Sequence, residues 1–147
     1  MVFVRDEGGV DDAPLDVVWD FFSSGKARSE AHHHRNVRRQ KLTEDSGSYT
    51  WVQDFRGELV HFTMRWTSFA PLGLAYDVLE GPFAGSKFFL YYTPRGERTE
   101  VAIVGEFTSP TIPASEVVKA LGQFFATEFA QDSEAIRQRM ERRKARQ

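Results

Sequence analysis

The sequence predicts an α+β fold: a curved antiparallel sheet of about seven strands wrapped round one long C-terminal helix, with two short helices after the first strand. Two observations predict it. Period-two alternation runs from Asn36 to Phe107 and is broken by turn clusters every ten residues or so, the rhythm of consecutive antiparallel strands. Residues 114–143 then contain no proline and carry an apolar stripe at helical spacing.

Met1 to Val10 reads as a short strand that runs out at Gly8-Gly9. Asp11-Asp12-Ala13-Pro14 reads as a helix start, because proline suits the first turn and carboxylates suit the positive end of the helix dipole. Leu15, Val18, Trp19 and Phe22 then make one apolar face, and Ser23-Ser24-Gly25 ends the helix. Lys26 to Arg35 is a second short, polar helical segment. Strands are expected near 36–44, 48–56, 58–69, 73–80, 87–93 and 99–108. Their separators are turn sequences: Glu44-Asp45-Ser46-Gly47, Arg56-Gly57, Pro71-Leu72-Gly73, Gly81-Pro82-Phe83-Ala84-Gly85 and Pro94-Arg95-Gly96-Glu97. In the last helix the stripe is Val118, Leu121, Phe125, Phe129 and Ile136, with Val117 and Phe124 beside it.

The chain has 147 residues, 41% hydrophobic and 14% aromatic, enough for one core-bearing domain over 1–147 with a basic helical tail from about 137. That aromatic load excludes disorder. A net charge of −2 lacks the global basic field of a nucleic-acid domain. The chain has no cysteine, so a disulfide scaffold, a thiol nucleophile and Cys-ligated zinc are excluded. No apolar run approaches the length of a membrane span, and the N-terminus becomes charged within five residues. A cytoplasmic location is the expectation. No phosphate loop, nucleophile elbow or His-Glu-x-x-His is present, so no cofactor is expected.

A single helix cannot fill a twisted sheet along its whole length, so a cavity lined by aromatic side chains is expected at the wide end. Alternation places Tyr49, Trp51, Gln53 and Phe55 on one side of their strand, and sets Phe62, Met64 and Trp66 against His61, Thr63 and Arg65. Phe88, Leu90 and Tyr92 share a side, as do Val101, Ile103, Gly105 and Phe107. Gln53 and Tyr92 are the polar groups expected inside an apolar pocket, with His61 and Arg65 facing solvent.

The element order, the stretch Asp12-Ala13-Pro14-Leu15-Asp16-Val17-Val18-Trp19-Asp20-Phe21 and the hairpin Thr93-Pro94-Arg95-Gly96-Glu97-Arg98-Thr99-Glu100-Val101 resemble the START-related superfamily. That superfamily includes polyketide cyclase/dehydratase-like and birch-pollen-allergen-like proteins. The resemblance spans residues 2 to 140. It implies a helix-grip fold and a hydrophobic cavity between sheet and last helix, used for lipids, quinones or polyketides and, in some members, for cyclisation. Mapped onto this chain, the implied ligand-binding residues are Trp51, Phe55, Phe62, Met64 and Trp66 on the middle strands. Phe88, Leu90, Tyr92, Val101, Ile103 and Phe107 follow on the later strands, and Leu121, Phe125 and Phe129 on the helix. Phe83, at the tip of the glycine-flanked loop 80–86, reads either as a lid over the pocket or as a cap on the core. No catalytic set is visible, so an apolar-ligand carrier, a cyclase-like enzyme and a docking protein all stay open.

Two polar features complete the reading. His32-His33-His34 reads as a polar, partly positive loop and not as a metal site, since neither helix nor strand puts consecutive residues on one face. Lys26–Lys41 and Ala135–Gln147 each hold six Lys or Arg against one acid, and so offer a weak anionic partner two basic patches, the second being Arg137–Arg146.

Overall fold

Alternation and turns combine as expected, and all the strands join one antiparallel sheet. In the computed structural model, which describes residues 1–147 apart from the side chain of Glu7, the elements are β1 (Val2–Asp11), α1 (Leu15–Phe22), α2 (Gly25–Ala31), β2 (Arg35–Thr43), β3 (Ser46–Phe55), β4 (Glu58–Phe69), β5 (Gly73–Glu80), β6 (Lys87–Arg95), β7 (Arg98–Phe107) and α3 (Ala114–Ala145). The sheet has seven strands in the order β1-β7-β6-β5-β4-β3-β2. Strands β2 to β7 are a simple meander, while β1 pairs with β7 at the opposite edge from β2. The chain therefore leaves one edge at Asp11 and rejoins the other at Arg35. Helices α1 and α2 carry it across the open end, and α3 lies over the concave face. This is the helix-grip fold.

The sheet must curl tightly to enclose a helix, and β7 shows how. Gly105 lies opposite Phe88, and a Cβ on it would sit 2.5 Å from the Phe88 Cα and 2.3 Å from the Lys87 carbonyl oxygen. Only a glycine lets β6 and β7 approach this closely. The helices are pinned by side-chain bonds to backbone and strand. Thr99 Oγ1 donates to the carbonyl of buried Ala13 at 2.9 Å, fixing the start of α1 to β7. Ser133 Oγ donates to Asp11 Oδ1 at 2.7 Å, fixing α3 to the end of β1.

Two apolar clusters form. One gathers α1 against β5, β6 and β7 through Val18, Phe21, Phe22, Leu74 and Tyr92, with Ile136 of α3. The other gathers the first half of α3 against Val78, Phe83 and Phe107.

Two expectations need correcting, and one open alternative, lid or cap at Phe83, is resolved. The inward stripe of α3 runs through Val117, Leu121, Phe125 and Ile136, while Val118 is 53% exposed, because the helix turns its first residues one position away from the expected register. Phe83 is buried and caps the core. Its loop is held by Gly85 N–H to the Val78 carbonyl at 2.8 Å and by Ser86 Oγ donating to the Thr108 carbonyl at 3.1 Å, so this end of the barrel is closed, not lidded. Tyr92 packs its ring on Trp19 and Phe22 at centroid distances of 6.0 and 4.9 Å, because α1 covers that end of β6.

Two substitutions test the close approach. Gly105→Val is expected to destabilise the protein by about 1–3 kcal/mol through overpacking between β6 and β7. Gly122→Ala, on the exposed side of α3 where a Cβ meets nothing within 4 Å, is expected to stabilise it by roughly 0.5–1 kcal/mol. Urea denaturation of both variants checks the pair.

Candidate ligand cavity

Between sheet and α3 lies a cavity of ≈ 510 Å³. Its walls are mostly apolar. From the middle strands come Trp51, Phe62, Met64 and Trp66. From the later strands come Leu74, Val78, Phe88, Leu90, Val101, Ile103 and Phe107, with Phe83 from the loop between β5 and β6. Leu121, Phe124, Phe125 and Phe129 come from α3 and Phe22 from α1. Gln53 also lines it. Of the residues the sequence nominated, only Phe55 and Tyr92 do not. Phe55, the last residue of β3, packs on Phe83 and Phe124 and lines a separate outer cleft of ≈ 430 Å³. Phe124 lines both spaces and stands between them. His61 and Arg65 are exposed on the convex face.

The lining also holds a cluster of buried polar groups that the strand alternation does not show. Helix α2 ends at His32, and His33 adopts a left-handed φ of 55° that reverses the chain before β2 begins. His33 is thereby turned out to solvent, while His32 and His34 both face inward with their rings stacked 5.4 Å apart. Of the run expected as a polar surface loop, only His33 reaches solvent, and His32 and His34 are part of the interior. The stack continues: His34 lies on Trp51 at 4.7 Å, Trp51 on Phe62 at 5.1 Å and Phe62 on Phe124 at 6.1 Å. A column of near-parallel rings thus crosses from the end of α2 through β3 and β4 to α3.

His32 is 5% exposed. Its Nδ1 lies 2.6 Å from Gln131 Oε1 and 2.8 Å from Glu128 Oε2, and its Nε2 2.8 Å from Asp132 Oδ1, all on α3. Burial alone would favour the neutral imidazole. The carboxylates of Asp132 and Glu128 against its two nitrogens outweigh it and push the His32 pKa up to about 10. Burial would likewise raise the Glu128 carboxyl, but His32 and Gln53 hold it below the usual range. Gln53 ties the network to the ring column: it accepts from Trp51 Nε1 at 2.6 Å and donates to Glu128 at 3.1 Å.

His34 is the opposite case. Burial, then the His32 cation, lower its pKa to about 3, so it is neutral. Its Nδ1 lies 2.9 Å from the Tyr49 hydroxyl, which also meets Ser29 Oγ. Arg28, inward-facing on α2, bonds the Tyr76 hydroxyl, and burial keeps that phenol above its usual pKa despite the neighbouring cation.

Chemically, the cluster offers a fixed imidazolium, a neutral imidazole, a guanidinium and two phenols beside an apolar space. His32, with both nitrogens against carboxylates, cannot act as a base, and His34 cannot act as an acid near neutrality. The sequence did carry one signal for this cluster. Continuing the α3 stripe from Leu121 and Phe125 by three and four residues reaches Glu128 and Asp132 before Ile136, which places two carboxylates on the buried face.

The basic segments are less free than their composition suggests. Arg39 donates to the Gly25 carbonyl at 3.1 Å and to Ser29 Oγ at 2.8 Å. On α3, Arg137 pairs with Glu134 and Glu141, Arg139 with Asp20, and Arg143 with Asp16 at 3.3 Å.

The His32 triad sets a pH signature. Its folded pKa of about 10 exceeds the ordinary 6.5, so its contribution to stability is complete below pH 6.5, declines above that and is gone above about 10. Glu128, with a depressed pKa, contributes above its ordinary 4.5 and loses that contribution as pH falls. His32→Gln should cost about 3–5 kcal/mol by leaving two buried carboxylates unpaired, and should abolish the alkaline decline. Denaturant titrations across pH check both effects.

No protein-family profile matches this chain, and no curated protein does. Solved structures do. TTHA0849 from Thermus thermophilus superposes with a TM-score of 0.76 at 17% identity, over 92% of this chain and 97% of that one. The Zhui aromatase/cyclase from Streptomyces sp. R1128 does so with 0.73 at 16% identity, over 97% and 93%. A START superfamily protein from Mycobacterium smegmatis gives 0.69 at 13% identity, over 93% and 97%. At these identities the likeness is one of fold. The chain has the helix-grip architecture of the START and polyketide cyclase-like proteins.

Proposed function

We propose that this protein binds a hydrophobic or amphipathic small molecule, of lipid, quinone or polyketide kind, in the cavity between the sheet and α3. One observation carries the reading. A space of ≈ 510 Å³ walled largely by aromatic and aliphatic side chains, with polar side chains interspersed on its lining, has the size and composition of a small-molecule site. A merely structural core would close on itself at the packing density of protein interiors.

Native mass spectrometry of freshly purified protein, followed by organic extraction, is expected to reveal a stoichiometric apolar compound. A protein that is empty and also fails to bind a neutral solvatochromic dye such as Nile red overturns the reading. Met64→Trp, which adds bulk at a half-buried cavity wall, should weaken dye binding by about tenfold, roughly 1.4 kcal/mol, in a fluorescence titration.

A second reading is a polyketide cyclase/dehydratase-like enzyme. The imidazole–phenol pair of His34 and Tyr49 at the cavity wall favours it, because cyclisation needs polar groups that orient the carbonyls of the bound chain. Conversion of a short poly-β-ketone by the wild type, and its loss in His34→Phe, would support this reading. The third reading, docking to membrane or RNA through Lys26–Lys41 and Arg137–Arg146, has weaker support, since Arg39, Arg139 and Arg143 are engaged within the fold.

A further inference from the structure

Arg28 is enclosed by protein yet keeps accessible surface, because that surface lines the cavity. Its guanidinium stands over the rings of Phe22 at 5.4 Å and Tyr76 at 5.7 Å. These rings hold the group in place and contribute cation–π attraction, but they accept no conventional hydrogen bond. Nη1 donates to the Tyr76 hydroxyl. Nε is buried without a hydrogen-bond partner. No carboxylate among the described residues pairs with Arg28. The carboxylates nearest in chemistry, Glu128 and Asp132, are held against His32. Their excess negative charge stabilises the guanidinium from a distance but does not meet its donors.

Tyr76 adds to the imbalance. Its oxygen accepts from Arg28, so its own proton is left to donate. The place where α2 meets β5 therefore concentrates donors: Nε–H, the second guanidinium nitrogen and the phenol O–H. Buried donors without acceptors are costly and are normally matched. A planar guanidinium fork matches a carboxylate or a similar paired oxygen better than any single acceptor.

We propose that Arg28 and Tyr76 form an oxyanion-binding site inside the cavity, so that the ligand is an amphipathic organic acid with its apolar body against the aromatic walls and its ionised oxygens at Arg28. This rests on the cavity being a ligand site, and it adds the chemical class of the ligand.

The test is displacement of Nile red from the full-length protein by a matched pair, dodecanoate and dodecanol, at mildly alkaline pH where the acid is ionised. Dodecanoate is expected to compete at least about tenfold more tightly, the gain of a charge-assisted hydrogen bond in an apolar site. Arg28→Met should erase that preference while dye and dodecanol still bind, and Arg28→Lys should keep part of it. Thermal melts report whether each variant is folded, and the acid–alcohol comparison in the wild type needs no variant. If acid and alcohol displace the dye equally, the oxyanion site is refuted and the apolar cavity stands. The same holds if the preference survives Arg28→Met. If the dye does not bind at all, the underlying ligand reading fails, and the acid site fails with it.

Discussion

A buried imidazolium clamped between two carboxylates organises this molecule. His32 ends α2, while Glu128 and Asp132 lie one turn apart on α3, and the triad joins two helices that otherwise touch little. Each partner needs the others. Removing His32 leaves two carboxylates in the interior without compensation, and that is far more costly than the intact triad is favourable. The position of α2 over the open end of the sheet follows from this contact, and so do the inward directions of Arg28 and His34.

The triad also divides the interior electrostatically. Burial, reinforced by its cation, suppresses protonation of His34 beside it, so two stacked imidazoles carry different charges. The neutral ring can then continue a column of stacked aromatic faces through Trp51 and Phe62 to Phe124. That column is at once packing and partition: it supports the cavity wall and separates the cavity from the outer cleft. Polar groups from α2, α3 and β2 set among aromatic walls make the space amphipathic.

Closure at the other end has a different origin. Phe83 and Phe107 fill the region under the start of α3, and Ser86 bonds the backbone of Thr108. The charged ends of the sequence turn out to be local fasteners. The arginines of the last turns of α3 reach the carboxylates of α1, which tie the helix end to the crossover segment. Such exposed pairs contribute little stability each, so their effect is chiefly on orientation.

The sequence by itself determined the elements, their order and which strand residues face inward, because backbone periodicity and turn chemistry are local. Trp51, Phe62 and Leu90 were legible as cavity walls for that reason. What only the tertiary structure decided is where chain segments far apart in sequence meet. Tyr92 was on the correct face of its strand, but α1 covers it. Phe55 was on the correct face too, but Phe124 screens it. The polar cluster joins residues 28–34, 49, 76 and 128–132, and no local pattern relates a histidine run to carboxylates on a helix so far along the chain. A single left-handed residue, His33, turns a run that composition marks as surface into buried structure, and the contacts that stabilise that turn exist only once the helices have packed.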